Sequence, residues 1–395
     1  MAAVSIAAMP KPPHSSAAVH QVAGSVYTHL ATKLANWTGE VYAFHVGDTW
    51  MEPAVGTRMQ DLSVSDYPGM HRYTAPQGHP ALLAAVQQDL KKRYDWDLSR
   101  DQILIAAGAT GALGAIAGAL LDPGDEVLIA APYWPLIEGI VRSFRGSPIA
   151  VPVFEPRLDL EATIAALEAQ LTERTVAVYW NTPNNPSGRA LSPAEIEGLV
   201  GWASERNLWI LADEVYEAYM FDGQPTPARS FDPERTFSVH SFSKTFGMAG
   251  NRCGYVVGPA DALGDARKIS THTFYSTPTA SQLAAVNSLQ LGSATEWVEN
   301  ASNKYAQVGR EVASILRVPS PEGSTFLFLD VSSYLDAHGV PGLLGDLADK
   351  GVFMAPGESF GPYPQHVRLC FTAVAPEITL RGVEILAYEL KRRRG

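Results

Sequence analysis

The stretch Ser241-Phe-Ser-Lys244-Thr-Phe-Gly-Met-Ala-Gly-Asn-Arg252-Cys-Gly places a single lysine among hydroxyl and small side chains, directly after an apolar segment. A lysine partly removed from water has a lowered pKa, and its neutral amine can attack a carbonyl to form a Schiff base. Ser241, Ser243 and Arg252 are suited to phosphate, because hydroxyls donate hydrogen bonds and a guanidinium is a planar cationic fork. For Lys244 taken alone, a solvated loop lysine is the alternative.

Bulk composition limits the class of protein. A chain of 395 residues with 46% hydrophobic residues can bury a large core, and its length favours two domains. The net charge of −11 opposes a nucleic-acid partner, which needs a basic face. Cys253 and Cys370 offer neither a disulfide framework nor metal-ligand spacing. With a poor secretory signal and no membrane-length apolar run, we expect a cytoplasmic protein without membrane or metal partners.

Short apolar segments alternate with helical patterns along the chain. This alternation predicts an α/β fold: a large domain whose mostly parallel sheet is covered by helices on both faces, plus a smaller α+β domain from the N- and C-terminal segments. We expect an arm over 1–25, a small domain from 26–50 plus 311–395, and a large domain over 51–310. The predicted strands are 103–106, 127–130, 176–179, 209–212, 236–239, 254–257, 325–331 and 367–371, and the helices are 80–93, 110–121, 194–205, 341–350 and 376–390.

The lysine stretch resembles that of the class I and II aminotransferases, which are pyridoxal-5′-phosphate (PLP) enzymes of fold type I. In that family Ser-x-Ser-Lys is followed eight residues later by arginine, and the likeness extends over nearly the whole chain. The resemblance implies that PLP is the cofactor, that Lys244 carries it as a Schiff base, and that Ser241, Ser243 and Arg252 contact it. It also implies that residues 51–310 form the PLP-binding domain.

Two polar motifs flank predicted strands. Asp213, in Ala-Asp-Glu-Val-Tyr216, follows an apolar strand at the end where α/β sheets bind ligands, and its anion could keep a pyridine nitrogen protonated. The resemblance gives Asp213 that catalytic role and makes Tyr216 a partner of the cofactor's phenolic oxygen. It also makes Asn185, in Asn-Pro-Ser-Gly188, a partner of that oxygen and of the substrate carboxylate. A helix N-cap and a plain turn are the structural alternatives.

A glycine-rich loop and a serine motif raise competing functions. Gly108-Ala109-Thr110 lies between a strand and a helix, so its free N–H groups and hydroxyl could bind the cofactor phosphate. The string is also similar to a dinucleotide loop, which leaves a short-chain dehydrogenase as a remote alternative, although no lysine has a tyrosine four positions before it. Ser359 fits a hydrolase nucleophile elbow, but the Gly-Pro-Tyr-Pro that follows opposes the helix which such an elbow opens.

The remaining candidates come from both halves of the chain. Arg368 lies in an apolar strand, where an unpaired guanidinium would be costly to bury, so it needs an anion; an internal salt bridge is the alternative. The resemblance makes Arg368 the clamp for the substrate carboxylate and places the Gly47 backbone beside it. It also stacks Trp134 on the cofactor ring. Tyr73 would reach the cofactor phosphate of a second subunit, which implies a homodimer with shared active sites.

These parts predict an aminotransferase that moves an amino group between an L-amino acid and a 2-oxo acid by a ping-pong mechanism, with Lys244 as the base. A β-elimination lyase, a cyclase and an oxidase stay open, because the pocket decides the fate of the carbanion. Residues near Trp50, Trp37 and Tyr27 are the candidates for that choice, although packing is the preferred interpretation of them. No clear second arginine is placed for a side-chain carboxylate. Aspartate and glutamate are therefore doubtful as dedicated substrates, although another basic residue could serve.

Overall fold

The computed structural model describes residues 13–24 and 28–394, and for residues 28–30 the backbone alone. The strands are β1 Tyr42–Ala43, β2 Ile103–Ala106, β3 Glu126–Ala131, β4 Ser147–Pro152, β5 Thr175–Asn181, β6 Trp209–Asp213, β7 Thr236–Ser241, β8 Gly254–Val257, β9 Phe326–Asp330, β10 Val352–Phe353, β11 Ala355–Pro356 and β12 His366–Cys370. The α-helices are α1 Thr28–Asn36, α2 Pro80–Tyr94, α3 Gly108–Leu120, α4 Leu136–Ser143, α5 Leu160–Glu168, α6 Pro193–Glu205, α7 Phe242–Thr245, α8 Ala260–Thr273, α9 Thr279–Gln290, α10 Gly292–Leu316, α11 Gly339–Ala348 and α12 Pro376–Arg394.

A seven-stranded sheet in the order β2-β8-β7-β6-β5-β3-β4 forms the centre of the molecule. Strand β8 runs antiparallel to β2 and β7, and the other neighbouring pairs are parallel. The prediction of an α/β fold with a mostly parallel sheet is confirmed. The continuous apolar runs of its strands follow from burial on both faces.

Helices cover both faces of this sheet. On one face, α3 and α8 bury Leu113, Ile116 and Leu263 against β2, β3 and β7. On the other face, α2 and α9 cover one end of the sheet, and α5 and α6 cover the other. Successive side chains of a strand point to opposite faces of the sheet. Each strand therefore contributes residues to the apolar layers on both faces.

A second, smaller layer joins the two ends of the chain. Strands β11, β12 and β9 form an antiparallel sheet, and β1 pairs in parallel with β10. Helices α10, α11 and α12 pack around them in one apolar cluster. This arrangement agrees with the predicted α+β part, while the domain boundaries at 25, 50 and 310 stay a prediction. Of the arm, Val19–Gln21 lies against α4, where Arg142 Nη1 donates to Gln21 Oε1 at 3.4 Å.

The strand prediction missed β4, one of the two edge strands of the large sheet. It contains Pro148 as its second residue and Pro152 as its last, and proline is tolerated in a sheet mainly at an edge, where its missing N–H is not needed. The predicted strands 103–106 and 254–257 agree with the observed bounds.

Strands β5, β6 and β7 end at Asn181, Asp213 and Ser241, so three polar side chains meet at one edge of the sheet. Within residues 13–24 and 28–394, every helix is too short or too polar to span a bilayer.

Candidate active site

A cavity of about 130 Å³ lies at the carboxyl ends of β5, β6 and β7. It brings together most of the residues that the sequence singled out, from segments far apart in the chain. They lie at strand ends, at helix starts or in the loops beside them, where backbone polar groups are not all used within the elements. The lining residues are Ala109, Thr110, Trp134, Asn181, Asn185, Asp213, Val215, Tyr216, Ser241, Ser243, Lys244, Ala249 and Arg252.

Lys244 lies in the short helix α7, which begins where β7 ends. The Ser241 hydroxyl caps this turn by accepting a hydrogen bond from the Ser243 N–H at 3.1 Å. The Lys244 Nζ donates to the Gly47 carbonyl oxygen at 2.6 Å. Burial lowers the pKa of Lys244, and the nearby Asp48 carboxylate opposes this shift only in part. The amine is therefore easier to deprotonate than an exposed lysine, as a nucleophile or base requires.

Asp213 is the last residue of β6 and is only 3% exposed. Its Oδ2 accepts a hydrogen bond from the Tyr179 hydroxyl at 2.7 Å, and its Oδ1 accepts one from the Val215 N–H at 3.4 Å. Burial raises the pKa of Asp213 to about 6, although the Tyr179 hydrogen bond lowers it. A buried anion that faces a cavity is suited to a cationic group in that cavity, such as a protonated ring nitrogen.

Helix α3 begins at Gly108, and its first turn borders the cavity through Ala109 and Thr110. Gly108 has φ +71°, and a Cβ there would lie 2.5 Å from Arg252 Nη2. Arg252 Nη1 in turn donates to the Ser243 hydroxyl at 3.4 Å. A helix N-terminus, hydroxyls and a guanidinium therefore converge at one end of the cavity, and this set of donors fits a phosphate group.

Arg368 connects the smaller layer to the cavity. It lies on β12, is 3% exposed, and donates through Nη1 to Asn185 Oδ1 at 3.1 Å and through Nη2 to the His45 carbonyl oxygen at 2.6 Å. The rings of Phe326 and Phe360 lie 4.5 and 4.7 Å from its guanidinium carbon. These contacts fix the guanidinium plane beside Asn185, in an orientation suited to a carboxylate.

Three residues that the sequence singled out lie outside the cavity of this chain. Tyr73 is 88% exposed and stays outside the cavity, where it makes an edge contact with the Tyr275 ring at 5.1 Å. Trp50 packs edge-on against Tyr305 at 5.4 Å, and Trp37 Nε1 donates to the Glu40 carbonyl oxygen at 2.9 Å. Both tryptophans therefore show packing contacts. Tyr27 lies outside the described residues.

Some site contacts were missed at the level of sequence. Tyr179 and Asn181 lie two residues apart on β5, and the Asn181 side chain donates to the Asp213 carbonyl oxygen at 2.8 Å. The alternation of side chains along a strand could have placed both on one face, because Tyr179 ends the predicted strand 176–179 and Asn181 lies two residues beyond it. The Tyr219 hydroxyl donates to the Lys244 carbonyl oxygen at 2.9 Å. Tyr305, from the middle of α10, is paired with Thr49 and carries no local signal.

The chain matches the family model of class I and II aminotransferases over residues 32–385. It belongs to this family. The aminotransferase is 30% identical over 327 residues to a probable aspartate/prephenate aminotransferase of Aquifex aeolicus, covering 80% of this chain and 82% of that one. It is also 30% identical over 313 residues to an asparagine–oxo-acid transaminase of Streptococcus mutans, covering 76% and 79%.

The fold of this aminotransferase is also that of solved relatives. An aspartate aminotransferase from Thermus thermophilus with maleate superimposes with a TM-score of 0.87 at 24% identity, over 95% of this chain and all of that one. The protein is a PLP-dependent aminotransferase, as predicted. The dehydrogenase alternative is therefore excluded. The hydrolase elbow is absent as well, because Gly357–Phe360 forms a 3-10 helix that leads into β12 rather than an α-helix.

Proposed function

We propose that this aminotransferase uses Lys244 as its catalytic base, Asp213 as the partner of the cofactor ring nitrogen, and Arg368 with Asn185 as the clamp for the carboxylate of an amino acid or 2-oxo acid. One observation carries the proposal. A single cavity joins a lysine amine, a buried carboxylate and a phosphate-suited set of donors, and Arg368 reaches that cavity through its 3.1 Å hydrogen bond to Asn185.

The chain's own groups fit PLP. When bound, PLP supplies an electron sink that stabilises negative charge at the substrate Cα. The anion of Asp213 would keep the ring nitrogen protonated, and Trp134 would cover a face of the ring. Tyr216 and Asn185 would bind the phenolic oxygen. The groups that would hold the phosphate are the Gly108, Ala109 and Thr110 helix start with Ser241, Ser243 and Arg252.

Lys244 would move the substrate's proton. Its Nζ would take the proton from the substrate Cα as general base and hold it, which requires a neutral amine near the reaction pH. Burial, which lowers the pKa of this lysine, favours that form. The hydrogen bond to the Gly47 carbonyl fixes the amine beside the segment that the family resemblance places near the substrate carboxylate. The base and the carboxylate clamp thus share one wall of the site.

Arg368 and Asn185 would orient the substrate. A carboxylate held by the planar guanidinium has one preferred direction, so its Cα hydrogen is presented to Lys244 in a limited range of angles. The Phe326 and Phe360 rings that flank the guanidinium exclude water from it. Exclusion of water strengthens the contact between guanidinium and carboxylate.

The cavity walls bear on the choice of substrate. A second, smaller cavity also borders Lys244 and is lined in part by Gly47 and Asp48. Among the described residues that border either cavity, Arg252 is the only cation besides Lys244. Asp48 adds a carboxylate to the same wall. We expect amino acids with uncharged side chains to be better donors than aspartate and glutamate, whose side-chain carboxylate would find no free cation there. The curated relatives carry names that refer to aspartate, prephenate, asparagine and arginine, so the family does not fix this choice.

We further propose a cytoplasmic homodimer with shared active sites. Tyr73 supports the dimer, because an aromatic ring that is 88% exposed beside the second aromatic ring of Tyr275 is typical of an interface. Both cysteines are free and buried, which agrees with a reducing compartment.

The test is a spectrum of the purified enzyme with single amino acids and no acceptor. A band near the visible edge that moves to the ultraviolet with certain donors supports transamination and names those donors. A band that moves to longer wavelength, or stays while ammonia or peroxide appears, would replace transamination with lyase or oxidase chemistry. No band after PLP is added would contradict the cofactor assignment.

A further inference from the structure

A second group of charged side chains lies buried beside β6, the strand that carries Asp213, and β7, the strand that precedes the helix of Lys244, on the face of the sheet opposite the site. His240 is the residue of β7 before Ser241, and Glu214 and Glu217 follow β6; they are 1%, 3% and 9% exposed. None of the three borders the cavity. The His240 ring stacks on Tyr255 at 4.7 Å, in the layer of α2 and α9, so this group occupies the opposite face of the sheet.

Two carboxylates converge on the one imidazole. His240 Nδ1 lies 3.0 Å from Glu217 Oε1, and His240 Nε2 lies 3.8 Å from Glu214 Oε2. Glu214 is held in place by the Ser238 hydroxyl and by the Ala228 N–H, which donates to its Oε1 at 2.8 Å. An imidazole between two buried carboxylates is stabilised in its charged form.

Helix α2 completes the group. Glu217 Oε2 accepts a hydrogen bond from the Tyr94 hydroxyl at 2.7 Å and lies 3.0 Å from Arg93 Nη1. Arg93 also pairs with Asp89 at 2.8 Å and reaches the Tyr255 hydroxyl at 3.4 Å. Glu214, Glu217 and Asp89 are the acids, and Arg93 and His240 are the cations. If His240 loses its proton, Arg93 is the one cation left in this group of five charged residues, and it contacts Glu217 and Asp89.

The backbone links this group to the active site. Asp213 pairs with Val239 in the parallel register of β6 and β7, and Tyr216 lies between Glu214 and Glu217 along the chain. A contact from His240 to both glutamates therefore ties the segment of Asp213 and Tyr216 to the strand that leads into Lys244. Loss of either contact would release one side of this segment.

We propose that His240, as an imidazolium between Glu214 and Glu217, is a positioning residue that fixes Asp213 and Tyr216 relative to Lys244, and that its charge makes PLP retention depend on pH. This inference rests on the proposed roles of Asp213 and Tyr216. It assigns no contact between His240 and the cofactor.

The direction of the effect follows from the surroundings of His240. Burial alone would lower the pKa of His240, but Glu217 and then Glu214 raise it above its ordinary value. The ionic contact of His240 with Glu217 is present below that raised pKa and is lost as the pH rises through it. Burial also raises the pKa of Glu214 to about 7. The pKa of Glu217 behaves differently: burial would raise it, but Arg93 and His240 hold it well below its usual range. The Glu217 contact is therefore the one that persists at neutral pH.

The test measures the dissociation constant of PLP from the apoenzyme between about pH 6 and about pH 9, around the ordinary range of histidine. We expect the wild-type constant to rise about tenfold across this range, the factor that corresponds to a loss of about 1.4 kcal/mol. His240→Asn should bind PLP more weakly at the lower end and show little further change. Glu217→Gln should move the rise to lower pH, because the histidine loses the neighbour that raises its pKa. A His240→Asn variant with the wild-type pH profile would overturn the proposal.

Glu389→Gln is the matched control. Glu389 is a buried carboxylate on α12 that pairs with Lys350, Arg392 and Arg393, away from the cavity. The Glu389→Gln variant should have a lower thermal stability but an unchanged pH profile of PLP binding. If its profile changed as much as that of His240→Asn, the proposal would also be contradicted. If His240→Asn does not fold, Glu217→Gln alone decides. Asp213→Asn tests the proposed function separately from the role of His240. Wild-type PLP affinity and activity in that variant would remove the proposed site roles, whatever the result for His240.

Discussion

The Nζ of Lys244 donates a hydrogen bond to the carbonyl oxygen of Gly47 at a distance of 2.6 Å. These residues lie almost two hundred positions apart, one in α7, directly after β7, and the other shortly after β1. The bond holds the amine against the segment proposed to approach the substrate carboxylate. A Cβ on Gly47 would lie 2.8 Å from Phe326 Cζ, so even alanine would displace this segment.

Replacement of Lys244 by alanine removes the proposed base. We expect the rate of 2-oxo acid release in a single turnover to fall by at least about a hundredfold, the lower range for loss of general base catalysis. Rapid mixing of the PLP-loaded variant with an amino acid measures it. Lys268→Ala is the control, because Lys268 is an exposed lysine that pairs with Asp265 on α8. A near wild-type rate in Lys244→Ala would remove Lys244 as the base.

Asp213→Asn should change activity and stability in opposite directions. The neutral amide cannot keep the ring nitrogen protonated, so we expect kcat to fall about a hundredfold or more, as for loss of one strong electrostatic contact in a site. In the apoenzyme the pKa of Asp213 is raised to about 6, so its ionisation opposes folding as the pH rises from about 4 to 6. The variant should therefore raise the free energy of unfolding of the apoenzyme at neutral pH by on the order of 1 to 3 kcal/mol.

Chemical denaturation of the apoenzyme at pH near 7 and near 4 checks that prediction, since the gain should vanish at the lower pH. Asp261→Asn, at an exposed position on α8, should change neither quantity. A loss of stability in the Asp213→Asn apoenzyme would show that hydrogen bonding outweighs burial at this carboxylate.

Arg368→Lys keeps the positive charge but loses the planar fork. We expect kcat/KM for amino acids to fall about a hundredfold, equivalent to about 2.7 kcal/mol, with weaker inhibition by simple carboxylates. Steady-state kinetics with carboxylate inhibitors provides both values. Arg381→Lys, at an exposed pair with Glu40, serves as the control. Unchanged carboxylate inhibition would place the clamp elsewhere.

Gly108→Ala should weaken PLP binding without general loss of structure. The added Cβ would lie 2.5 Å from Arg252 Nη2, and φ +71° is unfavourable for alanine. We expect the dissociation constant of PLP to rise about tenfold, since backbone strain of this kind costs about 1 kcal/mol or more. Gly114→Ala in the same helix meets no atom within 4 Å and should bind PLP normally. Equal affinity in the two variants would contradict the placement of the phosphate at this helix start.

A shared active site predicts complementation between subunits. In a mixture of Tyr73→Phe and Lys244→Ala chains, a mixed dimer contains one site with both native residues, so activity should recover above that of either variant alone. Mass photometry or sedimentation gives the oligomeric state in the same samples. A monomer at micromolar concentration would remove the role of Tyr73 across subunits.

Several elements could be predicted because their signal is local. The strands 103–106 and 254–257 are short apolar runs, and the helix from Pro80 follows a Gly-His-Pro break; each agrees with the structure to within a residue. The antiparallel direction of β8 was not predicted, because pairing direction depends on the path of the connecting chain.

Family membership could be inferred from local motifs, the lysine stretch around Lys244 and those that accompany it, because turn residues and catalytic side chains are encoded within a few positions. Three contacts of the site depend on the folded chain: the hydrogen bond from Lys244 to Gly47, the Tyr179 hydroxyl on Asp213, and the approach of Tyr305 to Thr49. These contacts join segments whose separation in the chain carries no periodic signal. They form when burial of the shared core brings strand ends and helix starts to one edge of the sheet.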